Sequence, residues 1–192
     1  MRLYAASIIV LGFLCMTSMR CKDDGITPPS EPDTTSHNFT WTIETLGDGA
    51  SSALYDIAII NDTLAYAVGE IYLKDASGQI EPNAYNLVKW DGKRLELLRI
   101  PFVGPCSAVN YPSIKVIWAF SASNILVSNG GSIVNYDGAN EIMDCRMNPI
   151  LSGAINRIFA TNPQDVYAVG NAGTIVHYDG NVWQHTVTDA TQ

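Results

Sequence analysis

Gly173-Thr174-Ile175-Val176-His177-Tyr178-Asp179-Gly180 is a phrase that this chain repeats. Gly131–Gly138 reads Gly-Ser-Ile-Val-Asn-Tyr-Asp-Gly, and Asn86–Gly92 is a looser copy, Asn-Leu-Val-Lys-Trp-Asp-Gly. The Asp-Gly pairs fall at 91–92, 137–138 and 179–180, so the spacings are 46 and 42 residues. Self-similarity at this period marks a stacked array of like units, in which most recurring residues serve folding rather than chemistry.

The units can be read outward from the phrase. Leu54–Gly69 aligns without gaps with Ile155–Gly170, and Val116–Asn129 is the middle copy. Each has a short apolar run, a polar turn and a second apolar run. The turns, at 61–63, 121–124 and 161–165, are built from Asn, Asp, Ser, Thr, Gln and Pro, and side-chain hydrogen bonds or a preset φ make Asn, Asp, Ser and Pro turn residues. A Gly-containing loop follows, then the Ile-Val-x-Tyr run and Asp-Gly, a strong hairpin signal between β-rich runs. The last run is Arg94–Leu98 in copy one and Val182–Val187 in copy three, with Glu141–Met143 the weakest. No stretch after the leader has a capped apolar period near 3.6. The expected fold is all-β. It is a β-propeller of four-stranded antiparallel blades, with three blades at approximately 54–100, 114–146 and 154–188.

The full pattern is Asp-Val-Tyr-Ala-Val-Gly at Asp165–Gly170, then Gly173–Trp183 ending Tyr-Asp-Gly-x-x-Trp. It resembles a family of bacterial secreted propeller repeats common in large cell-envelope proteins and lipoproteins. The resemblance covers residues 39–188. It implies a binding or scaffold module rather than an activity. Copy two departs from it, with Val127-Ser128-Asn129 where Ala-Val-Gly is expected. Closed propellers typically have four to eight blades. Phe39–Thr45 looks like a fourth, outermost strand with no blade of its own, an orphan strand. The expectation is a truncated chain or fragment, or a protomer whose ring is completed by another chain.

The leader places the domain. Arg2 precedes an apolar run, Leu3–Cys15, that is too short for an ordinary spanning helix and fits a signal-peptide core. Residues 1–21 read as a lipoprotein-like signal peptide. The cysteine after the apolar segment resembles that of a bacterial lipoprotein signal, which makes Cys21 the expected lipidation site. Arg20 stands where such signals carry a small residue, and plain secretion or an uncleaved N-terminal anchor is the alternative. Residues 22–38, rich in Pro, Ser, Thr and acid, read as a flexible tether, and 39–192 as the partial propeller. The expected location is outside the cytoplasm, as an outer-membrane or cell-surface lipoprotein. In that oxidising setting Cys106 and Cys145 are either bridged or two buried thiols. The formal net charge is −8, so a phosphate backbone is repelled and nucleic acid is not an expected partner.

Chemistry is sought where the copies disagree. The loops between second and third strands and those joining blades should gather on one face: 73–85, 129–131, 171–173, 101–113 and 149–153. Leu73–Tyr85 is an insertion relative to the other copies, with Lys74, Asp75, Gln79, Glu81, Asn83 and Tyr85 its candidate binding residues, and a solvated decoration or an extended hairpin the alternative. Asp75 and Glu81 could serve as a carboxylate pair for glycoside chemistry, but two acids in an acidic chain are expected by chance. His177 takes the slot of Lys89 and Asn135, a solvent-facing position, and with His185 it is too few ligands for zinc. No nucleophile elbow, Walker loop or dinucleotide fingerprint occurs, and no cofactor or metal is expected. The repeated aromatics Trp90, Tyr136, Tyr178 and Trp183 should pack between sheets, with a sugar-stacking platform the alternative. The reading is a non-catalytic, membrane-tethered envelope module that binds protein or glycan. Its rival is a fragment of a glycan-active enzyme.

Overall fold

The computed structural model describes residues 38, 40–48, 51–104 and 107–186. The leader with Cys21, the tether up to residue 37, and Cys106 lie outside the described residues. The chain divides into two units, Met1–Ile43 and Glu44–Gln192. Residues 40–45, expected as part of an orphan outer strand, form no strand and belong to none of the sheets.

Among the described residues of the second unit the chain forms fourteen strands. The first sheet is β1 (Ala53–Asn61), β2 (Leu64–Ile71), β3 (Tyr85–Trp90) and β4 (Leu95–Leu98), in that spatial order. A two-stranded hairpin follows, β5 (Phe102–Gly104) and β6 (Ser107–Asn110). The second sheet is β7 (Val116–Ser121), β8 (Asn124–Ser128), β9 (Ile133–Tyr136) and β10 (Glu141–Asp144). The third is β11 (Ile155–Asn162), β12 (Asp165–Gly170), β13 (Ile175–Tyr178) and β14 (Trp183–His185). All pairings are antiparallel between sequence neighbours, so each sheet is a meander of one repeat.

The inner strands β1, β7 and β11 stand side by side in that order, and the sheets stack face to face. Two apolar layers hold them. Tyr66, Val68 and Leu87 of blade one meet Ile117, Ile125, Val127 and Val134 of blade two. On the other side of blade two, Val116, Leu126 and Ile133 meet Ile158, Ala160, Val166, Ala168 and Val176 of blade three. Strand alternation gives each blade these two faces, because successive side chains point to opposite sides. Asp56 of β1 reinforces the inner edge. Its carboxylate accepts the Ile117 N–H at 3.2 Å and pairs with Arg157 of β11 at 3.5 Å.

The recurring phrase acquires a physical meaning. In each blade the aspartate is the first of four turn residues, and its side chain caps the turn. Asp137 Oδ1 accepts the N–H groups of Ala139 and Asn140 at 2.8 and 2.6 Å. Asp91 does the same for Lys93 and Arg94, and Asp179 for Asn181 and Val182. The following glycines have φ of 87°, 98° and 91°, a left-handed backbone that favours Gly. The tyrosine belongs to the same device: the Tyr136 hydroxyl donates to Gly138 O and that of Tyr178 to Gly180 O, both at 2.8 Å.

The Ala-Val-Gly signature is explained by a β-bulge. Blades one and three each carry an extra residue in the inner strand, between Leu54 and Asp56 and between Ile155 and Arg157. At that point the inner strand presses onto its neighbour. A Cβ on Gly69 would lie 2.0 Å from Ala53 O, and one on Gly170 would lie 1.9 Å from Ala154 O. In blade two the ladder begins only at Val116 with Ser128, the register position of Asp56 with Val68, and the preceding Lys115 N–H also donates to Ser128 O at 2.8 Å. Asn129 stands at the glycine position, beyond the end of that ladder, and the blade keeps its four strands.

The connection 101–113 is not a loop, as the sequence reading had it. It forms the β5–β6 hairpin, and β5 lies against β10, with the Gly104 Cα beside the Met143 side chain. Phe102 is fully buried there in the first apolar layer. A three-residue strand between Pro101 and Pro105 offers too little alternation to be read.

Two outcomes follow. Gly170→Ala should destabilise the protein by about 1–3 kcal/mol through overpacking at the bulge, whereas Gly131→Ala, whose nearest neighbour is 3.7 Å away, should be neutral. Urea denaturation of both variants measures this, and equal stability would remove the steric account. The second outcome concerns acid. Asp91, Asp137 and Asp179 are held below their usual 3.8, chiefly by the backbone N–H bonds they accept. A depressed folded value stabilises above the unfolded pKa and is lost as pH falls through the folded one. The melting temperature should therefore be level near neutrality and fall as pH drops below about 4. The triple Asp→Asn variant, which keeps the acceptor oxygens but cannot titrate, should show a shallower fall.

Candidate functional site

A cleft of about 590 Å³ lies between blades two and three. That volume lies within the range of ligand pockets. Its depth is apolar, formed by Leu126, Ile133 and Val166, all buried. One wall is β10, through Ile142, Met143 and Asp144, continuing into Cys145 and Arg146. Tyr178 and Trp183 form the opposite wall, with ring centroids 5.2 Å apart. Phe120, Asn124 and Pro163, from the β7–β8 and β11–β12 turns, close one end.

The cleft persists because a polar clasp spans its mouth. Asp144 Oδ2 accepts hydrogen bonds from Trp183 Nε1 at 2.9 Å and from an Arg146 guanidinium nitrogen at 2.7 Å. Asp144 Oδ1 accepts from Arg146 Nε at 2.9 Å and from the Arg146 backbone N–H at 3.0 Å. Arg146 also donates to Asn181 O at 2.7 Å and lies over the Tyr178 ring at 5.2 Å. One arginine thus joins the end of β10 to the β13–β14 turn. Burial pushes the Asp144 carboxyl up, but the hydrogen bonds from Arg146 and Trp183 outweigh it and hold it below the usual range. The aromatics Tyr178 and Trp183 pack against the apolar layer between blades, and Tyr136 against the other, as expected for the repeat aromatics.

Cys145, at the cleft wall, is disulfide-bonded. Its partner cysteine lies outside the described residues, and the Cys106–Cys145 pairing stands as the expectation.

The loop face is real but shallow. Residues 129–131 and 151–154 line one depression of about 390 Å³, and Ile155 N–H donates to Gly130 O at 2.7 Å across it. Nearby, Glu70 accepts from the hydroxyls of Ser113 and Tyr55, which together hold its carboxyl below the ordinary range. Lys115 sits 3.4 Å over the Tyr55 ring.

The insertion 73–85 is a folded hairpin rather than an open loop. Asp75 Oδ1 accepts the N–H groups of Ser77 and Gln79 and the Ser77 hydroxyl, and Lys74 bridges to Ile80. Glu81 pairs with Arg99, which also donates to Asn83 O and lies 3.7 Å over the Tyr85 ring. The structure thus divides the six candidates into a tip around Asp75 and a base around Arg99. Asp75 and Glu81 are each engaged by separate partners, and neither lines the cleft. His177 is half-buried rather than solvated. It stacks on Tyr167 at 4.1 Å and its Nε2 lies 2.7 Å from Asp165 Oδ1.

No family model matches the chain. No curated protein matches it either. Among solved structures it is similar to that of YCF48 bound to D1 peptide, at 16% identity with a TM-score of 0.50, over 73% of this chain and 41% of that one. The fold is that of a β-propeller. The chain spans less than half the length of this structural neighbour.

Sequence reasoning missed the cleft because its lining comes from strand positions of two different repeats. The one available signal was Asp144-Cys145-Arg146, charged residues directly after the weakest outer strand. Asp144→Ala should cost about 1–3 kcal/mol, since the bonds removed are charge-assisted. It should also shift the emission of Trp183, measured against a Trp183→Phe background. An unchanged spectrum would mean that the clasp does not hold the indole.

Proposed function

We propose that this protein is a non-catalytic propeller module, tethered by a lipid at Cys21 outside the cytoplasm, that holds an extended segment of an envelope protein in the cleft between blades two and three. The apolar cleft with its clasped aromatic wall is the observation that carries this reading. A sugar needs several convergent hydrogen-bonding groups, whereas the depth of this cleft is Leu126, Ile133 and Val166, and Asp144 and Arg146 already spend their bonds on each other and on Trp183. Apolar side chains of a peptide suit such a lining. The structural neighbour was solved with a peptide bound, which supports a protein partner for the fold. Extracellular placement follows from the leader and acidic tether. The enzyme reading is weaker, because Asp75 and Glu81 serve separate structural contacts.

The test is selection of peptides from a random library on the wild-type protein, with Ile142→Glu in parallel. Ile142 lines the cleft and is mostly exposed, so the substitution leaves the fold intact. Selected peptides should bind the variant about tenfold more weakly or worse, roughly 1.4 kcal/mol. Radioactive fatty acid should label the wild-type chain and not Cys21→Ala. Peptides indifferent to Ile142→Glu, binding only on a glycan array, or turnover of a glycan would overturn the proposal.

A further inference from the structure

The lining of the cleft leaves two polar side chains unused. Asp144, Arg146 and Trp183 are bound in the clasp, the Tyr178 hydroxyl donates to Gly180 O, and Cys145 is disulfide-bonded. Among the described residues, the side-chain amides of Asn124 and Asn135 have no hydrogen-bond partner. Their place is set by the sheet. Asn135 of β9 stands opposite Leu126 of β8 and Ile142 of β10, so one row across blade two reads Leu126, Asn135, Ile142, and all three line the cleft. Asn124, two residues before Leu126 on β8, lies on the same face, diagonal to Asn135. The repeat shows that these two slots can close on themselves. In blade three they hold Asp165 and His177, on the same diagonal about Tyr167, and those two bond to each other at 2.7 Å. In blade two the same slots carry amides with no bond between them, and both open into the cleft.

A peptide that sets apolar side chains against Leu126 and Ile142 brings its main chain with them. In an extended chain, side chains on either side of one residue point the same way, so the main chain of that residue lies over the middle of the row. Its N–H and C=O lose water there, and a peptide group left unpaired in such a place is costly. An asparagine amide meets the need directly, because it carries an acceptor oxygen and two donor hydrogens. We propose that Asn135, assisted by Asn124, is the specificity-determining residue of the cleft. Its amide pairs with the main-chain N–H and C=O of one residue of the bound peptide, between two apolar side chains seated on Leu126 and Ile142. This inference rests on the reading of the cleft as a peptide site and names the class of peptide it takes. The segment is apolar and extended, with its main-chain groups unpaired beforehand, so a helix or a strand already held in a sheet is refused. Proline at the residue that Asn135 reads is refused as well, because it has no N–H.

A backbone scan tests it, using peptides selected on the wild-type protein and weakened by Ile142→Glu. Each peptide is remade with one main-chain amide at a time replaced by an ester, which removes the N–H and leaves every side chain in place. At one position the ester should weaken binding to the wild type by about tenfold, the upper end of what one hydrogen bond contributes. Asn135→Ala should bind the unaltered peptide about tenfold more weakly, and the same ester should then cost it less than about twofold more, because the two changes remove one contact. Asn135 is exposed, so its truncation leaves the fold intact. Lys89→Ala, in the same slot of blade one and outside the cleft, should match the wild type throughout. Peptides that need Ile142 yet have no ester-sensitive position, or that lose as much to the ester on Asn135→Ala as on the wild type, would overturn this inference and leave the cleft reading standing. A library that yields no peptide, or only peptides indifferent to Ile142→Glu, overturns the cleft reading and this inference with it.

Discussion

Apolar contact between the faces of neighbouring sheets is the constraint on which everything else rests. A four-stranded meander of three- to nine-residue strands has two apolar faces and cannot bury either by itself. Among the described residues, blade two is the one blade with both faces covered, and it contributes to both apolar layers. A Leu, Ile or Val taken from exposure to full burial contributes about 1.5–3 kcal/mol. The stacking of β1, β7 and β11 is therefore a consequence of the repeat.

Polar groups decide how the stacked sheets are trimmed rather than whether they stack. The three Asp caps close the outer hairpins with the same pair of backbone bonds. Asp56 draws the inner strands of three blades to one carboxylate. Asp144 does the opposite at the periphery. With Arg146 and Trp183 it spans blades two and three without closing the space beneath them, and the cleft remains. A structural ion pair thus shapes a concavity whose depth is apolar.

Glycine and bulge go together in blades one and three, where the inner strand brings a carbonyl onto the glycine Cα. In blade two the ladder starts one position later, at Val116 with Ser128, and Asn129 at the glycine position lies beyond it. A sequence comparison that weighs the missing glycine alone scores blade two as a degraded copy, yet the sheet keeps its four strands.

The sequence by itself determined the four strands of each blade, their antiparallel order and the blade phase, because those depend on local alternation and on turn chemistry repeated three times. It also pointed to His177 as solvated and to 101–113 as a loop, and left 73–85 open between a binding loop and an extended hairpin. Tertiary structure alone decided those points. His177 meets Tyr167 and Asp165 across strands, β5 pairs with β6 and packs beside β10, and Arg99 gathers Glu81, Asn83 and Tyr85 from a distance in sequence. The cleft was likewise beyond local reading. A repeat position is buried or exposed according to whether another blade lies against it, and no single repeat encodes its neighbour.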